Sequence, residues 1–391
     1  MTKDKAKIED LLNRSVDQIE VRKNFEESLG SGKKLRIKLG IDPTAINLHL
    51  GHAILLLKLK KFQELGHQIV LIVGDFTGVI GDTSDKESER PMLSPDQIKQ
   101  NMKTYLDQVG KLLDVKKAEI RYNSEWLQKL DYLELSKQAD VFSLNEFISR
   151  TNIKNRLNKG SRISIRELIY PLMQAYDSVA IKADVELGGS DQWFNLLAGR
   201  ALQKFYKQPP QNILTVSLLL GTDGRKMSSS WGNTINVLDE PKEMFGKVMS
   251  ISDDLIIPYF THCTEKSLTE IKDLEQRLGS GENQRDLKEE LALTITELYW
   301  GKKKAKEAQE YFITVFQNKS APAKIKKIAV KSTNIVEVLT EIKLARSKTE
   351  ARKLIDQGGI KINGQVIKKY DTPVKSGNQI QKGKRKWLEI E

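Results

Sequence analysis

Two short runs in this chain combine residue types and spacings that suit phosphate chemistry. In the first, His49-Leu50-Gly51-His52, two imidazoles fall three residues apart, just after a β-like run, a proline and a short turn. A helix beginning there places both rings on one face of its first turn. Unpaired N–H groups and the positive end of the helix dipole favour a phosphate at that position. Gly51 between the rings opens the backbone to close approach by a flat base. In the second run, Lys226-Met227-Ser228-Ser229-Ser230 lies in a Gly- and Ser-rich loop, TDGRKMSSSWGN. A lysine on a loop that closes over a triphosphate can neutralise charge as pyrophosphate departs. Zinc is the competing use of the histidine pair. That metal takes further His, Cys or carboxylate ligands, and the whole chain holds four histidines and one cysteine, so no metal site is expected.

The elements that must position these runs follow from hydrophobic patterning. Residues from about 35 to 220 alternate short β-rich apolar runs with longer helical patterns, which predicts an α/β domain on a parallel sheet. LRIKLGID (Leu35 to Asp42) is a strand followed by Pro43 and a helix from His49 to about Gly66. QIVLIVGDF (Gln68 to Phe76) is the clearest buried strand and ends in a Gly-rich loop. A helix follows Pro95, EIRY (Glu119 to Tyr122) is a short strand, and helical patterns run from Trp126 to about Gln203, interrupted by ADVELGGSDQ. From 240 to 318 the spacing is helical. Gln317 to Asn334 is basic and weakly periodic, so it reads as a linker. Two short helices follow, then a hairpin signalled by Asn363-Gly364 between β-prone residues.

Composition narrows the class. The 391 residues are 39% hydrophobic and carry 64 Lys plus Arg against 52 Asp plus Glu, a net charge of +12. That excess suits a polyanionic partner, whose phosphates release counterions on binding. With Cys263 as the single cysteine, an intramolecular disulfide is excluded and a reducing compartment is expected. The charged amphipathic start and the lack of a long apolar run predict a cytoplasmic protein with no membrane span.

The two runs, in this order around an α/β sheet, resemble the signature pair of class I aminoacyl-tRNA synthetases, HxGH and KMSxS. Over nearly its whole length the chain resembles the tyrosyl-tRNA synthetase family, through GIDPTAINLHLGH, VGDFTGVIGDTSDKESER, YPLMQAYDSV and VELGGSDQWFN. The resemblance implies a Rossmann-like catalytic domain (residues 1–230), a helical tRNA anticodon-side domain (231–325) and an S4-like RNA-binding domain (335–391). It assigns catalysis to His49, His52 and Lys226, with Lys86 and Arg90 meeting the pyrophosphate. It gives ATP to Asp42, Thr44, Gly51, Gly189, Asp191, Met227, Ser228 and Ser229. It gives tyrosine to Lys38, Gly40, Asp82, Tyr170, Gln174, Asp177 and Gln192. Asp82, Tyr170 and Gln174 take the ammonium end, and Asp177 takes the phenol hydroxyl. Tyr170, Gln174 and Asp177 also share one helical face by spacing.

Two positions depart from the better-known branch of that family. Lys38 stands where a Tyr shares the phenol contact, and Ser229 replaces the second Lys of KMSKS. The C-terminal stretch IKLARSKTEARKLIDQGGIKINGQVIKKYDTPVKSGNQI resembles an S4 module. Its Arg346, Lys348, Arg352 and Lys353 lie on a helical pattern, with Lys361, Lys368 and Lys369 around the hairpin, and basic side chains on one face suit RNA phosphates. The family implies ATP as a substrate with Mg²⁺, L-tyrosine and tRNA as partners, no tightly bound cofactor, and a homodimer. A tryptophan enzyme of the same class and a non-catalytic RNA-binding relative are the alternatives.

Overall fold

The computed structural model describes residues 4–84, 91–317, 326–383 and 386–391. The chain divides into two compact units, Met1–Gly301 and Lys302–Glu391.

The first unit is built on a six-stranded sheet of β1 (Val16–Glu20), β2 (Arg36–Ile41), β3 (Gln68–Val73), β4 (Glu119–Tyr122), β5 (Val185–Gly189) and β6 (Asn212–Val216). The strand order is β1-β6-β5-β2-β3-β4. Strands β2 to β6 pair in parallel, as patterning predicts. Five of the six residues of β3 are buried, the mark of a strand covered on both faces. The exception to the parallel pattern is β1, which lies antiparallel against β6. Its sequence, VDQIE, is mostly polar because it forms an exposed edge, so patterning gives no strand there.

Three helices carry most of the site. Helix α1 (Leu50–Glu64) follows His49, whose backbone is extended, and buries Leu50, Ala53, Ile54, Leu56, Leu57, Leu59 and Phe62. Its Leu, Lys and Gln residues are strong helix formers, and Gly66 at φ +93° ends the run. Helix α2 (Ile165–Ile181) starts from a Ser164/Glu167 capping box and continues through Pro171. Helix α3 (Trp193–Phe205) follows β5 through the short 3-10 turn Ser190–Gln192. Beyond residue 240 this unit is helical: Pro241–Val248, Ile256–Cys263, Leu268–Gly279 and Gln284–Trp300.

The second unit begins with helix Lys302–Phe312. Its sheet joins β7 (Lys326–Ile328), β8 (Ile360–Ile362), β9 (Gln365–Val366), β10 (Gln379–Lys382) and β11 (Lys386–Ile390) in the order β7-β11-β10-β8-β9. Helices α4 (Ile335–Glu341) and α5 (Lys348–Asp356) pack on it, around a core that includes Val338, Leu339, Ala351, Ile355, Ile360 and Ile380. The hairpin at Asn363-Gly364 is present, with φ of +49° and +82°, the left-handed pair that a two-residue turn of this type requires. The linker expectation needs correction at 326–328. These residues pair in parallel with β11, and Ile328 packs on the core, so local composition was overridden by a partner about sixty residues away. Residues 318–325 lie outside the described residues.

Candidate active site

In this sheet the chain runs outward from β2 through β3 to β4, then returns to the other side of β2 for β5 and β6. The strand order therefore reverses between β2 and β5. Open α/β sheets bind ligands at the carboxyl ends of the strands flanking such a reversal. Asp42 and Thr44 follow β2, Asp82 follows β3, Gly189 to Gln192 close β5, and the loop with Lys226 follows β6. The sequence-predicted residues thus collect at one edge of the sheet, although they span nearly two hundred positions.

Asp42 is the hub at the end of β2. Its Oδ1 accepts from Thr77 Oγ1 at 2.7 Å and its Oδ2 from the Tyr170 hydroxyl at 2.8 Å. A β-carbon added at Gly74 would fall 2.0 Å from Asp42 Oδ1 and 2.4 Å from Thr77 Oγ1, so only glycine fits beside this pair. Burial and the nearby Asp42 push the Tyr170 phenol well above its ordinary range, which keeps it a neutral donor. Asp82 accepts from the Ser84 backbone N–H at 2.9 Å and from Gln192 Nε2 at 2.6 Å. Gln192 and Gln174 are joined through Asn195.

Lys38 is fully buried beneath these groups. Its ammonium lies 2.8 Å from Glu186 Oε1, 2.8 Å from Ser178 Oγ and 2.9 Å from the Gln174 carbonyl. Three donors meet three acceptors. Instead of reaching toward a ligand, Lys38 ties β2 to β5 and α2 from below, as its position inside the central strand dictates. Gly40, two residues further along β2, is exposed with open space beside its α-carbon.

Asp177 is buried on α2, with Trp126 Nε1 at 2.8 Å from Oδ1 and Asn123 Nδ2 at 3.3 Å from Oδ2. Burial pushes its pKa up to about 7, against the pull of Lys38 and the two donors. Sequence reasoning missed Trp126, Asn123, Glu186, Ser178 and Asn195. EIRYNSEW places Asn123 and Trp126 just after β4, at the carboxyl end of a parallel strand, and that position was the available signal.

At the start of α1, His49 is buried and stacks on the half-buried His52, with ring centroids 3.9 Å apart. Burial, with help from His52 and Lys226, pushes the His49 pKa down to about 2, so His49 is a neutral imidazole. A β-carbon at Gly51 would stand 3.0 Å from the His49 ring. Leu50 N–H donates to the Ile235 carbonyl at 2.9 Å, which joins this helix start to the segment after the serine-rich loop. In that loop Lys226 pairs with Asp191 at 2.9 Å. Met227 is buried and bonded to the Leu219 carbonyl. Asn233 holds the Ser228 N–H and the Lys226 carbonyl at 2.8 and 3.0 Å. Ser229 is exposed. Lys86 and Arg90 lie outside the described residues. Among the described residues no three His, Cys, Asp or Glu side chains converge to hold a metal.

The sequence pattern described as tRNA synthetases class I (W and Y) matches residues 31–317. Tyrosine–tRNA ligase of Thermotoga maritima is 43% identical over 97% of this chain and 96% of its own length. That of Dehalococcoides mccartyi strain 195 is 43% identical over 99% of both. The chain belongs to the class I tRNA synthetases of the tryptophan and tyrosine type. The synthetase also shares its fold with solved structures. One is a C-terminally truncated mitochondrial tyrosyl-tRNA synthetase of Aspergillus nidulans, 22% identical with a TM-score of 0.66, covering 78% of this chain and 93% of that one. Another is tyrosyl-tRNA synthetase of Archaeoglobus fulgidus complexed with L-tyrosine, 24% identical with a TM-score of 0.62, covering 77% and 98%.

Residues 334–380 of the synthetase match the S4 domain. On α5, Ala351 and Ile355 face the core, while Arg352 and Lys353 are exposed. Arg346, Lys348, Lys368 and Lys369 are also exposed, and Lys361 is half-buried. Lys348 pairs with Glu337 at 2.7 Å, and the Arg352 guanidinium lies 5.8 Å from the Tyr370 ring centre. Among the described residues no helix is long and apolar enough to cross a membrane.

Proposed function

We propose that this synthetase is a tyrosine–tRNA ligase. The tyrosine carboxylate attacks the α-phosphate of ATP in line, giving tyrosyl-adenylate and pyrophosphate. A ribose hydroxyl of the terminal tRNA adenosine then attacks the activated carbonyl, and AMP leaves. The side chains form no covalent intermediate, so their work is positioning and charge stabilisation. The observation that carries the choice of amino acid is Asp177, a buried carboxylate on the same helical face as Tyr170 and Gln174. Seven residues of helix separate Tyr170 from Asp177, roughly 10 Å, on the scale of a tyrosine molecule lying along α2. A phenol O–H adds a further donor to this carboxylate, which already accepts from Trp126 and Asn123, whereas an apolar ring offers it none.

His49, His52, Gly51, Thr44, Gly189 and Asp191 then surround ATP, with Met227, Ser228 and Ser229 in the loop above it. Lys226, supported by Lys86 and Arg90, neutralises the departing pyrophosphate. Mg²⁺ would enter with the nucleotide as part of the substrate and would neutralise charge on its phosphates. The exposed basic side chains of the S4 unit meet RNA phosphates. A homodimer, as the family resemblance implies, would give cover to large apolar side chains left in solvent, among them Tyr132, Leu133, Leu144 and Ile165 at 63–90% exposed.

The test is amino-acid-dependent ATP–pyrophosphate exchange. Exchange should require tyrosine, with tryptophan and phenylalanine inactive at the same concentration. Asp177→Asn should raise KM for tyrosine by roughly ten- to a hundredfold, the worth of a hydrogen bond to a charged group. Exchange driven by tryptophan, or by no amino acid, would refute the proposal.

A further inference from the structure

We propose that Asn195 is a positioning residue that sets the polarity of both glutamine amides at the amino end of the pocket, so that each offers oxygen to the substrate's ammonium group. The proposal rests on the reading of Asp82, Tyr170 and Gln174 as that end of the tyrosine site, and it adds Gln192 to them.

The inference comes from counting donors along one chain of contacts. At its inner end stands Glu186, ion-paired with Lys38 at 2.8 Å. At its outer end stands Asp82. Ionised carboxylates only accept hydrogen bonds. Gln174 Nε2 faces Glu186 Oε1 at 3.3 Å, and Gln192 Nε2 faces Asp82 Oδ2 at 2.6 Å. Each glutamine has therefore turned its NH2 toward a carboxylate and its oxygen inward. Two inward oxygens need a group between them that donates twice. Asn195 Nδ2 does so, at 3.1 Å from Gln174 Oε1 and 3.0 Å from Gln192 Oε1. A primary amide has two hydrogens for this task, a hydroxyl has one and a carboxylate has none.

Asn195 is fully buried in the first turn of α3, and its own Oδ1 is buried without a hydrogen-bond partner. Turning the amide over would set an oxygen against two oxygens, with no donor between them. The unpartnered oxygen is thus the smaller penalty. The result favours a cation. An amide oxygen has two acceptor positions, so each glutamine oxygen keeps one after bonding to Asn195. Beside the Asp82 carboxylate and the Tyr170 hydroxyl, they turn oxygen and not N–H toward an ammonium. A glutamine turned the other way would present N–H dipoles to a positive charge. Asn195 acts through the two glutamines and does not touch the substrate.

The full-length protein and its Asn195→Ala and Asn195→Ser variants test this with three ligands in direct binding assays. Tyrosine and tyramine carry the ammonium, whereas 3-(4-hydroxyphenyl)propionate keeps the phenol and carboxylate but lacks it. Asn195→Ala should weaken tyrosine and tyramine by roughly tenfold or more while changing the propionate by less than about twofold, because the altered hydrogen bonds serve the charged group alone. Asn195→Ser, with one hydroxyl hydrogen, should fall between wild type and alanine, and guards against a folding defect in the larger truncation. Equal weakening of all three ligands, or a lowered Tm with all three unchanged, would make Asn195 a packing residue and overturn the proposal. Wild-type protein that binds the propionate and tyramine but not tyrosine, or none of the three, would instead overturn the reading of the site itself.

Discussion

Asp177 is pulled two ways by its surroundings. Burial raises its pKa to about 7, yet both its oxygens already accept N–H groups, from Trp126 and Asn123. A protonated carboxyl gives up one acceptor position, so the phenol of tyrosine is best held by the ionised form. On the reading above, kcat/KM for tyrosine in exchange should therefore fall as pH drops through about 7, and Asp177→Asn should lose that limb. Stability runs the opposite way. The folded pKa stands above the ordinary value of 3.8, so between these two values the native state holds a proton that the unfolded chain has released. This group's contribution is fully present below the lower value and is lost as pH rises through the upper one. Wild-type denaturation midpoints should thus decline against those of Asp177→Asn across that window. Lys226 makes a second test at this scale. With Ser229 in place of a second lysine, it is the charged side chain of the KMSSS run itself. Lys226→Ala should slow single-turnover adenylate formation by about 10²–10³, the usual effect of removing a preorganised charge, with little change in tyrosine affinity. A normal rate with weakened tyrosine binding would assign the neutralisation of pyrophosphate to another cation.

The helix α2 carries three of the proposed tyrosine contacts, and its first turn is anchored by a buried ion pair. Arg156 and Glu167 are both 1% exposed; Arg156 also donates to the Arg162 carbonyl at 2.7 Å, and Glu167 takes the Ser164 N–H at 3.0 Å. Arg156→Met strands the Glu167 carboxylate in the core, which costs about 3–5 kcal/mol. The variant should show a lowered urea midpoint and a raised KM for tyrosine, and adding Glu167→Gln should recover part of both. Loss of stability with an unchanged KM would mean that the ion pair does not orient α2. Neither partner drew notice in the sequence, and the reason is general to this fold. What is local was legible: the apolar run of β3, the hairpin at Asn363-Gly364, and the spacing of Tyr170, Gln174 and Asp177 along one turn after another. What depends on distant partners was not. Trp126 lies 51 positions from Asp177 and looks like an ordinary core residue until the sheet folds; Lys38 was marked in the sequence, but its partner Ser178, 140 positions away, was not. The polar strands β1 and β7 were hidden likewise, because pairing partners and not their own composition make them strands.

At the scale of the molecule, every described side chain proposed for ATP or tyrosine falls between Lys38 and Ser229, inside the unit that ends at Gly301. The S4 match falls wholly within the other unit, which has its own core of Val338, Leu339, Ala351, Ile355, Ile360 and Ile380. On the proposed function, activation of tyrosine and capture of RNA should therefore be separable by one cut. A chain ending after Gly301 should keep tyrosine-dependent exchange within about threefold of the full chain, because it loses none of the charges proposed to act on the transition state. Aminoacylation should fall steeply, since the exposed Arg346, Lys348, Arg352, Lys353, Lys368 and Lys369 leave with the second unit. Salt gives the sharper measurement. Each phosphate neutralised by Lys or Arg contributes roughly 0.7–0.9 to the slope of log affinity against log salt. The full chain's affinity for tRNA should drop steeply from low to moderate salt, and the shortened chain's should start lower and fall more gently. Equal salt slopes for the two, with the shortened chain folded by circular dichroism, would mean that the basic side chains of the S4 unit do not contact RNA, and that the +12 net charge works through the catalytic unit instead.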